Sequence, residues 1–295
     1  MWRRLWWLMP SLTPSWIQKL PSLGVGIGFR KALKQKIFTS HTQIDFLEII
    51  TEHYAQPSFG QLQELTRLNK IFPLIPHVLG SSLGNASGLN PQYLKEIASV
   101  INAIKPLWWS DHIAITSTGN LDIGHLAPLP RTMEMVKIIC ENISTIKKKI
   151  KYPLILENIS FTHTLGGELT EEEFIKEIIE RSDCGLLLDL MNLYANSQNF
   201  HYDPIEFLDR IPIERVVQLH IIGGHWEEGI LVDSHSSAPP ARVWELLEYV
   251  ASRTKIKGII IEWDENLPAF DRILTEVKRA KKILSKQGTL KVSFA

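Results

Sequence analysis

The sequence predicts an α/β protein of eight strand–helix units, the size of a single (β/α)8 TIM barrel. A doubly wound open sheet is the alternative that spacing alone leaves open. Three observations carry this reading. Short apolar runs alternate with longer amphipathic stretches along the chain. Several runs are continuous (LLLDL, VVQLHII, GIIIEW), as in parallel strands covered on both faces. Eight such units fit within the 295 residues without a low-complexity stretch or an obvious linker.

The apolar runs are residues 24–29, 44–50, 73–79, 107–115, 153–157, 185–190, 216–222 and 258–263. Helical periodicity follows at 61–71, 91–104, 132–148, 170–181, 204–211, 240–253 and 269–284. The first connection, 30–42, is basic and only weakly periodic. Asn90-Pro91 and Asp203-Pro204 place a cap residue before a proline suited to the first helical position. Thr170 followed by Glu173 reads as a capping box. The glycines of GVGIG lie inside the first strand with the wrong spacing for a dinucleotide fingerprint.

Composition narrows the function. Thirty-two basic and 32 acidic residues leave no net charge, which argues against a nucleic-acid partner. Two cysteines, Cys140 and Cys184, exclude a disulfide scaffold and a thiolate-rich metal site; both read as packing residues. The start, MWRRLWWL, resembles a signal peptide, but its apolar patch stops at Pro10, too short for a signal core or a membrane span. Residues 1–20 are expected to be a Trp-rich extension packed on the body, 21–287 the barrel and 288–295 a tail. Trp2, Trp6, Trp7 and Trp16 are candidate anchors if the extension docks a partner. The expectation is a soluble, cytoplasmic protein with no membrane partner.

The chemistry sits where the apolar runs end. The second ends in Glu48, with Glu52 and His53 beyond; the third gives His77, and the fourth Asp111 and His112. The fifth gives Glu157 and Asn158; the sixth Asp189, with Asn192 following; the seventh His220; the eighth Glu262 and Asp264. Asp233 and His235 lie in the long connection after the seventh. In a barrel these positions converge at the C-terminal mouth. Burying so many ionisable groups costs several kcal/mol each unless they pair or bind a cation. Imidazoles and carboxylates without thiolates suit a cluster of iron, manganese or zinc ions, and one carboxylate can bridge two of them. Each residue alone has a plainer reading, a hydrogen-bonded core histidine or a buried ion pair. His41, His163 and His201 sit in polar loops, His125 near a possible rim, and His225 after Gly223-Gly224 as a candidate substrate contact.

Ten ordered segments then match a known pattern: GVGIGFR, DFLEIITEHY, IPHVLGSSLG, WWSDHIA, HLAPLPRT, LILENIS, CGLLLDLMNLY, VVQLHIIGGH, VDSHSSAP and IIIEWD. By these the chain resembles the multinuclear non-haem iron-dependent oxidative enzymes, which include the methanobactin oxidase and the oxidase of 3-thiaglutamate biosynthesis. The match spans nearly the whole chain. The resemblance implies a xylose-isomerase-like TIM barrel, two to three iron ions (Fe2+/Fe3+) and O2 as co-substrate. It implies that His77 and His112 bind one iron with Glu157 as bridge. Asp189, His220 and Glu262 would complete a second with Glu157, and Asn192, Asp233 and His235 would bind a third. Glu157, Asp189, His220 and Glu262 would form the catalytic set. Glu52, His53, Asp111, Asn158, His225 and Asp264 would support them or touch substrate. The chain departs from the family at His53, where asparagine is frequent, and at Met191, where a second asparagine is.

The resemblance further implies oxidation of a cysteine in a ribosomally made precursor peptide, delivered with a leader-binding partner protein. The rival enzyme is a trinuclear zinc phosphodiesterase of the endonuclease IV type, sharing the spacing of His220, Asp233 and His235 but carrying histidine where this chain has Asn192. A sugar isomerase would want a catalytic lysine and a carboxylate-dominated magnesium or manganese site. A non-catalytic metal-binding barrel is the reading from a different class.

Overall fold

The computed structural model describes residues 13–118 and 121–287. In chain order the strands are β1 (Gly24–Gly28), β2 (Leu47–Ile50), β3 (Leu74–His77), β4 (Trp109–His112), β5 (Ile115–Thr118), β6 (Leu121–Ala127), β7 (Leu154–Glu157), β8 (Gly185–Asp189), β9 (Val216–Ile221), β10 (Gly223–Glu227), β11 (Ile230–Ser237) and β12 (Gly258–Ile261). The pairs β5–β6 and β10–β11 are separate two-stranded hairpins; the other eight strands close into a parallel barrel in the ring order β1-β12-β9-β8-β7-β4-β3-β2. All eight predicted strands are these eight, which decides for the closed barrel over the open sheet.

The helices are α1 (Ser15–Lys19), α2 (Lys34–Thr39), α3 (Phe59–Ile71), α4 (Pro91–Ile104), α5 (Met133–Lys149), α6 (Glu171–Ser182), α7 (Leu190–Phe200), α8 (Pro204–Arg210), α9 (Ala241–Arg253) and α10 (Phe270–Leu284). Thr170 caps α6 in the predicted box, and Asn90 and Asp203 cap α4 and α8 ahead of their prolines. Two features differ from expectation. The run 107–115 is not one strand: it breaks after His112 and continues as the first arm of a hairpin. And α7 starts directly at the end of β8, with no loop, because Asp189 caps it by accepting from the amide of Asn192.

Inward positions recur every second residue along each strand and stack into layers. At the N-terminal end, Phe46, Ile75, Trp108, Ile155, Leu187, Val217 and Ile260 form an apolar floor, closed from below by Ile17 of α1 with Trp16, Leu20 and Leu23 beside it. Beside Phe46 and Ile260, β1 contributes only Gly26, where a Cβ would collide with the carbonyl of Phe46. That close approach explains the glycine-rich strand. The remainder of the apolar core lies between the strands and the surrounding helices. The Trp-rich start up to residue 12 and the tail 288–295 lie outside the described residues, as do Trp2, Trp6 and Trp7. No described helix is long and apolar enough to cross a membrane.

Candidate metal centre

The same two-residue alternation carries inward from the floor to the C-terminal ends of the strands. It places His77, His112, Glu157, Asp189, His220 and Glu262 in one buried layer at the mouth. On β9 this needs a correction of phase. The pairing with β8 shifts so that Leu186 faces Val216 while Leu187 faces Gln218, leaving Val217 as an extra residue. Val217 joins the floor, and beyond this bulge Gln218 and His220 turn inward.

Around Glu157 the donors gather in two groups. His77 and His112 present Nε2 to its Oε2 at 3.5 and 3.2 Å. His220 Nδ1 lies 3.3 Å from its Oε1, 2.7 Å from Glu262 Oε2 and 3.9 Å from Asp189 Oδ2. Glu157 thus belongs to both His77–His112–Glu157 and Glu157–Asp189–His220–Glu262, each with its donor atoms within 4.8 Å of one another. A third group, His235, Glu262 and Asp264, opens toward solvent. His235 Nε2 also reaches Asp233 Oδ2 at 2.9 Å. His235 holds a left-handed backbone (φ 50°), and the amide of Asp264 donates to its carbonyl. Such a conformation costs about 1–3 kcal/mol in a residue other than glycine, so the hairpin holds this ring in place at a cost.

The histidine tautomers follow from their outer partners. His112 Nδ1 meets the carbonyl of Val78 at 3.1 Å; a carbonyl only accepts, so Nδ1 carries the proton and Nε2 is the free lone pair. His77 Nδ1 meets Ser110 Oγ at 2.7 Å, leaving its Nε2 toward Glu157. His220 is reversed: Nε2 faces Glu48 Oε1 at 3.0 Å, so Nδ1 points into the centre. Glu48 is itself held by Gln218 Nε2 at 2.6 Å, and Gln218 Oε1 accepts from Trp108 Nε1–H at 2.8 Å. The indole can only donate, which fixes the Gln218 amide and makes Glu48 the acceptor for His220.

Six buried atoms here have no hydrogen-bond partner: Glu157 Oε2, Asp189 Oδ2, Asn192 Oδ1, His220 Nδ1, Asp233 Oδ1 and Glu262 Oε2. A buried unpartnered polar atom costs about 1–3 kcal/mol, and cations bound among these six would relieve that cost. The donor set, imidazole with carboxylate and amide oxygen, fits first-row transition ions. Without cations the charges perturb one another strongly. Burial opposes ionisation of Glu157 and Glu262, yet His220, with His112 at the first and His235 at the second, holds both below the ordinary carboxylate range. Burial, then Asp233 and Glu157, push Asp189 far up. Burial disfavours the charged forms of His112 and His220, but Glu157 outweighs it at the first, raising it to about 8, and Glu262 with Glu48 at the second.

The remaining predicted residues divide. Asn158 locks Asp189 by accepting from its amide and donating to its carbonyl. Asp264 joins His235 and Arg30 at the rim. Asp111 faces away from the centre, accepting from the amide of His112, and burial pushes it up to about 7. Glu52 accepts from the amides of Leu79 and Gly80 and from the Tyr93 hydroxyl, pinning the loop after β3. His53 and His225 are exposed, the latter bonded to Ser234. His41, His125, His163 and His201 are exposed as well. Sequence reasoning named Glu48 at the end of the second run but not as the partner of His220, and it left out Gln218 behind it and Arg30, which reaches Asp264 and Glu262. Arg30 was findable, since it lies just beyond the end of the first strand.

The family described as RiPP precursor modification enzyme MbnB/TglH/ChrH matches residues 24–285. A UPF0276 protein of Caulobacter vibrioides (strain NA1000 / CB15N) is 31% identical over 274 residues, covering 92% of this chain and 98% of the relative. A UPF0276 protein of Anaeromyxobacter sp. (strain Fw109-5) is 32% identical over 263 residues, covering 88% and 93%. Among solved structures, a putative xylose isomerase from Rhodospirillum rubrum ATCC 11170 superposes with a TM-score of 0.54 at 13% identity, covering 90% of this chain and 99% of that one. D-psicose 3-epimerase with D-tagatose from Clostridium cellulolyticum H10 gives 0.54 at 11%, covering 90% and 96%. These likenesses establish the xylose-isomerase-like barrel.

Proposed function

Because the chain belongs to the MbnB/TglH/ChrH family of RiPP precursor modification enzymes, we propose that it is an iron- and O2-dependent oxidase acting on cysteine residues of a ribosomally made precursor peptide. The observation that carries the reading is the sharing of Glu157 between two buried donor groups in which Glu157 Oε2, Asp189 Oδ2, His220 Nδ1 and Glu262 Oε2 lack hydrogen-bond partners. His77, His112 and Glu157 would hold one iron; Glu157, Asp189, His220 and Glu262 a second; Asn192, Asp233 and His235, with Glu262 and Asp264 in reach, a third. Bound there, iron ions supply one-electron chemistry with O2 and lower the pKa of a coordinating thiol.

The chain's own residues do the rest. Ser110 and the Val78 carbonyl orient the two Nε2 ligands, and Glu48 orients Nδ1 of His220. Asp189 divides its carboxylate: Oδ1 caps α7, and Oδ2 faces the centre. Arg30 offsets the rim carboxylates, the side from which a substrate thiol enters. The apolar floor and the buried layer exclude water from below. A leader-binding partner protein is part of the proposal; turnover of the full precursor by the isolated chain would remove it.

The first test is anaerobic purification without added metal, elemental analysis of iron and zinc, and Mössbauer spectra. Two to three irons per chain with a mixed-valent signal support the reading. Two to three zincs without iron overturn it and favour phosphodiester hydrolysis, to be tried on abasic DNA. A metal-replete chain inert toward O2 and cysteine peptides would leave a metal-binding barrel.

A further inference from the structure

Beside the metal centre a groove leaves the mouth over the ends of β4 and β7. Its inner part, a cavity of about 40 Å3, is walled by Ile113, Leu129, Ile159 and Phe174, with Asn158 on the side of the centre. Ile113 directly follows His112, and Asn158 directly follows Glu157, so this apolar chamber begins one residue from two candidate ligands. Its outer part, about 400 Å3, runs between α6 and α8. The two share Arg131, Phe161, Thr164 and Glu171, so they lie side by side along one wall.

The outer part is acidic. Glu171, Glu172, Asp203 and Glu206 line it against Arg131 and Arg210. Arg210 is already engaged, 3.0 Å from Glu172 and 3.7 Å from Glu206. Arg131 comes no nearer to Glu171 than 3.9 Å. Burial, with Glu172 beside it, leaves the Glu171 carboxyl raised to about 7 in spite of Arg131 and a hydrogen bond from Asn196. Across from it the hydroxyl oxygen of Tyr202 is buried without a hydrogen-bond partner. A carboxylate whose Arg131 partner stands at 3.9 Å and a phenol without a hydrogen-bond partner together describe a seat for a closer cationic donor. The walls are built: Asn196 accepts from the amide of Phe161 and donates to the carbonyl of Ile159, and the loop after β7 is tied to Arg131 through the amide of Leu169 and the carbonyl of Gly166. Gly167 permits that tie, since any Cβ there would strike the Arg131 backbone.

We propose that this groove binds the stretch of precursor peptide flanking the modified residue, taking an apolar side chain in the inner chamber and a lysine or arginine over Glu171 and Tyr202. The inference rests on the peptide reading above and adds where the peptide lies and what it must carry. A charged contact in a partly desolvated groove selects its partner by charge more than by area.

The test is a display selection on the full metal-loaded chain, kept anaerobic. The probe is a library of random dodecamers with cysteine or serine at the central position. The expected result is enrichment of cysteine over serine, an apolar residue and a basic residue on the same side of it, and basic over acidic by about tenfold. In Glu171→Gln/Glu206→Gln the basic preference should fall to within about twofold while the cysteine preference stays, and Tyr202→Phe should weaken it too. Thermal unfolding and metal content check that each variant folds. Cysteine preference without any flank preference, or a flank preference unchanged in the variants, overturns the groove and leaves the thiol reading standing. A flank preference that the variants remove, with serine accepted as well as cysteine, supports the groove and overturns the thiol reading. Loss of both preferences overturns both.

Discussion

Two imidazoles approach one oxygen of Glu157 and a third approaches the other, at 3.2–3.5 Å, yet Oε2 makes no hydrogen bond. Lone pairs so arranged converge on something between them. Glu157→Gln is therefore expected to empty two metal sites together, and Asn192→Ala to loosen one at most. Metal per chain by elemental analysis checks both, and equal loss in the two variants would refute the assignment. Glu48 touches no candidate ion but holds Nε2 of His220. Removing such an outer partner typically costs about 10–100-fold in metal affinity, so Glu48→Gln should weaken binding by that order without unfolding the barrel, read by chelator competition. The sign of the pH dependence follows from His112. Its pKa in the metal-free chain is raised to about 8, so at neutral pH a proton must leave before Nε2 binds a cation. Metal affinity should rise with pH through that range, the more so because His220 and His235 are raised too. Glu171 works in the opposite sense on stability. Its folded value of about 7 lies above the ordinary 4.5, so the folded state binds the extra proton between them. The Glu171 contribution is favourable at the acid end and is lost as pH rises from 4.5 to 7. Glu171→Gln should therefore gain stability relative to the parent as pH rises across that window, measured by denaturant unfolding at each pH.

Elements decide which way these residues face. On β9 the bulge at Val217 turns Gln218 and His220 inward; uninterrupted alternation from Val217 would have turned Leu219 and Ile221 in instead. On β8 the strand and the next helix share Asp189, so the ligand's position is set by the cap of α7. The hairpin β10–β11 brings Asp233 and His235 back over the mouth. On β1 the inward glycine makes room for Phe46 and Ile260. Gly26→Val should destabilise by about 1–3 kcal/mol through overpacking, and the loss should appear in thermal unfolding before it appears in metal content.

Across the whole molecule the barrel is closed at one end and open at the other. Ile17 from α1 fills the floor against seven inward residues, and the six-residue ligand layer lies at the opposite end. Ile17→Ala should cost about 2–4 kcal/mol, as for other large-to-small core changes, with metal stoichiometry unchanged; urea unfolding and metal analysis check the two halves of that statement. The same polarity puts the acidic groove between α6 and α8 on the mouth side, where a long substrate can reach the centre from the flank.

The amino-acid sequence by itself determined the eight strands, since each is a run of apolar residues that only a covered parallel sheet accommodates. It pointed to the candidate ligands too, because so many imidazoles and carboxylates at successive strand ends are costly to bury together without pairing or a cation. The tertiary structure decided what period-two reasoning cannot see. Val217 and Gln218 are neighbours in sequence, yet the bulge on β9 lets both face inward. Glu48 and His220 are 172 positions apart and meet only because the barrel closes. The helix after Asp189 and the hairpin after His112 escaped periodicity because a polar side chain caps the first and a strand break starts the second. Local pattern follows from side chains one or two residues apart. Which side chains share a cation depends on bulges, caps and ring closure, and those are set by contacts between distant strands.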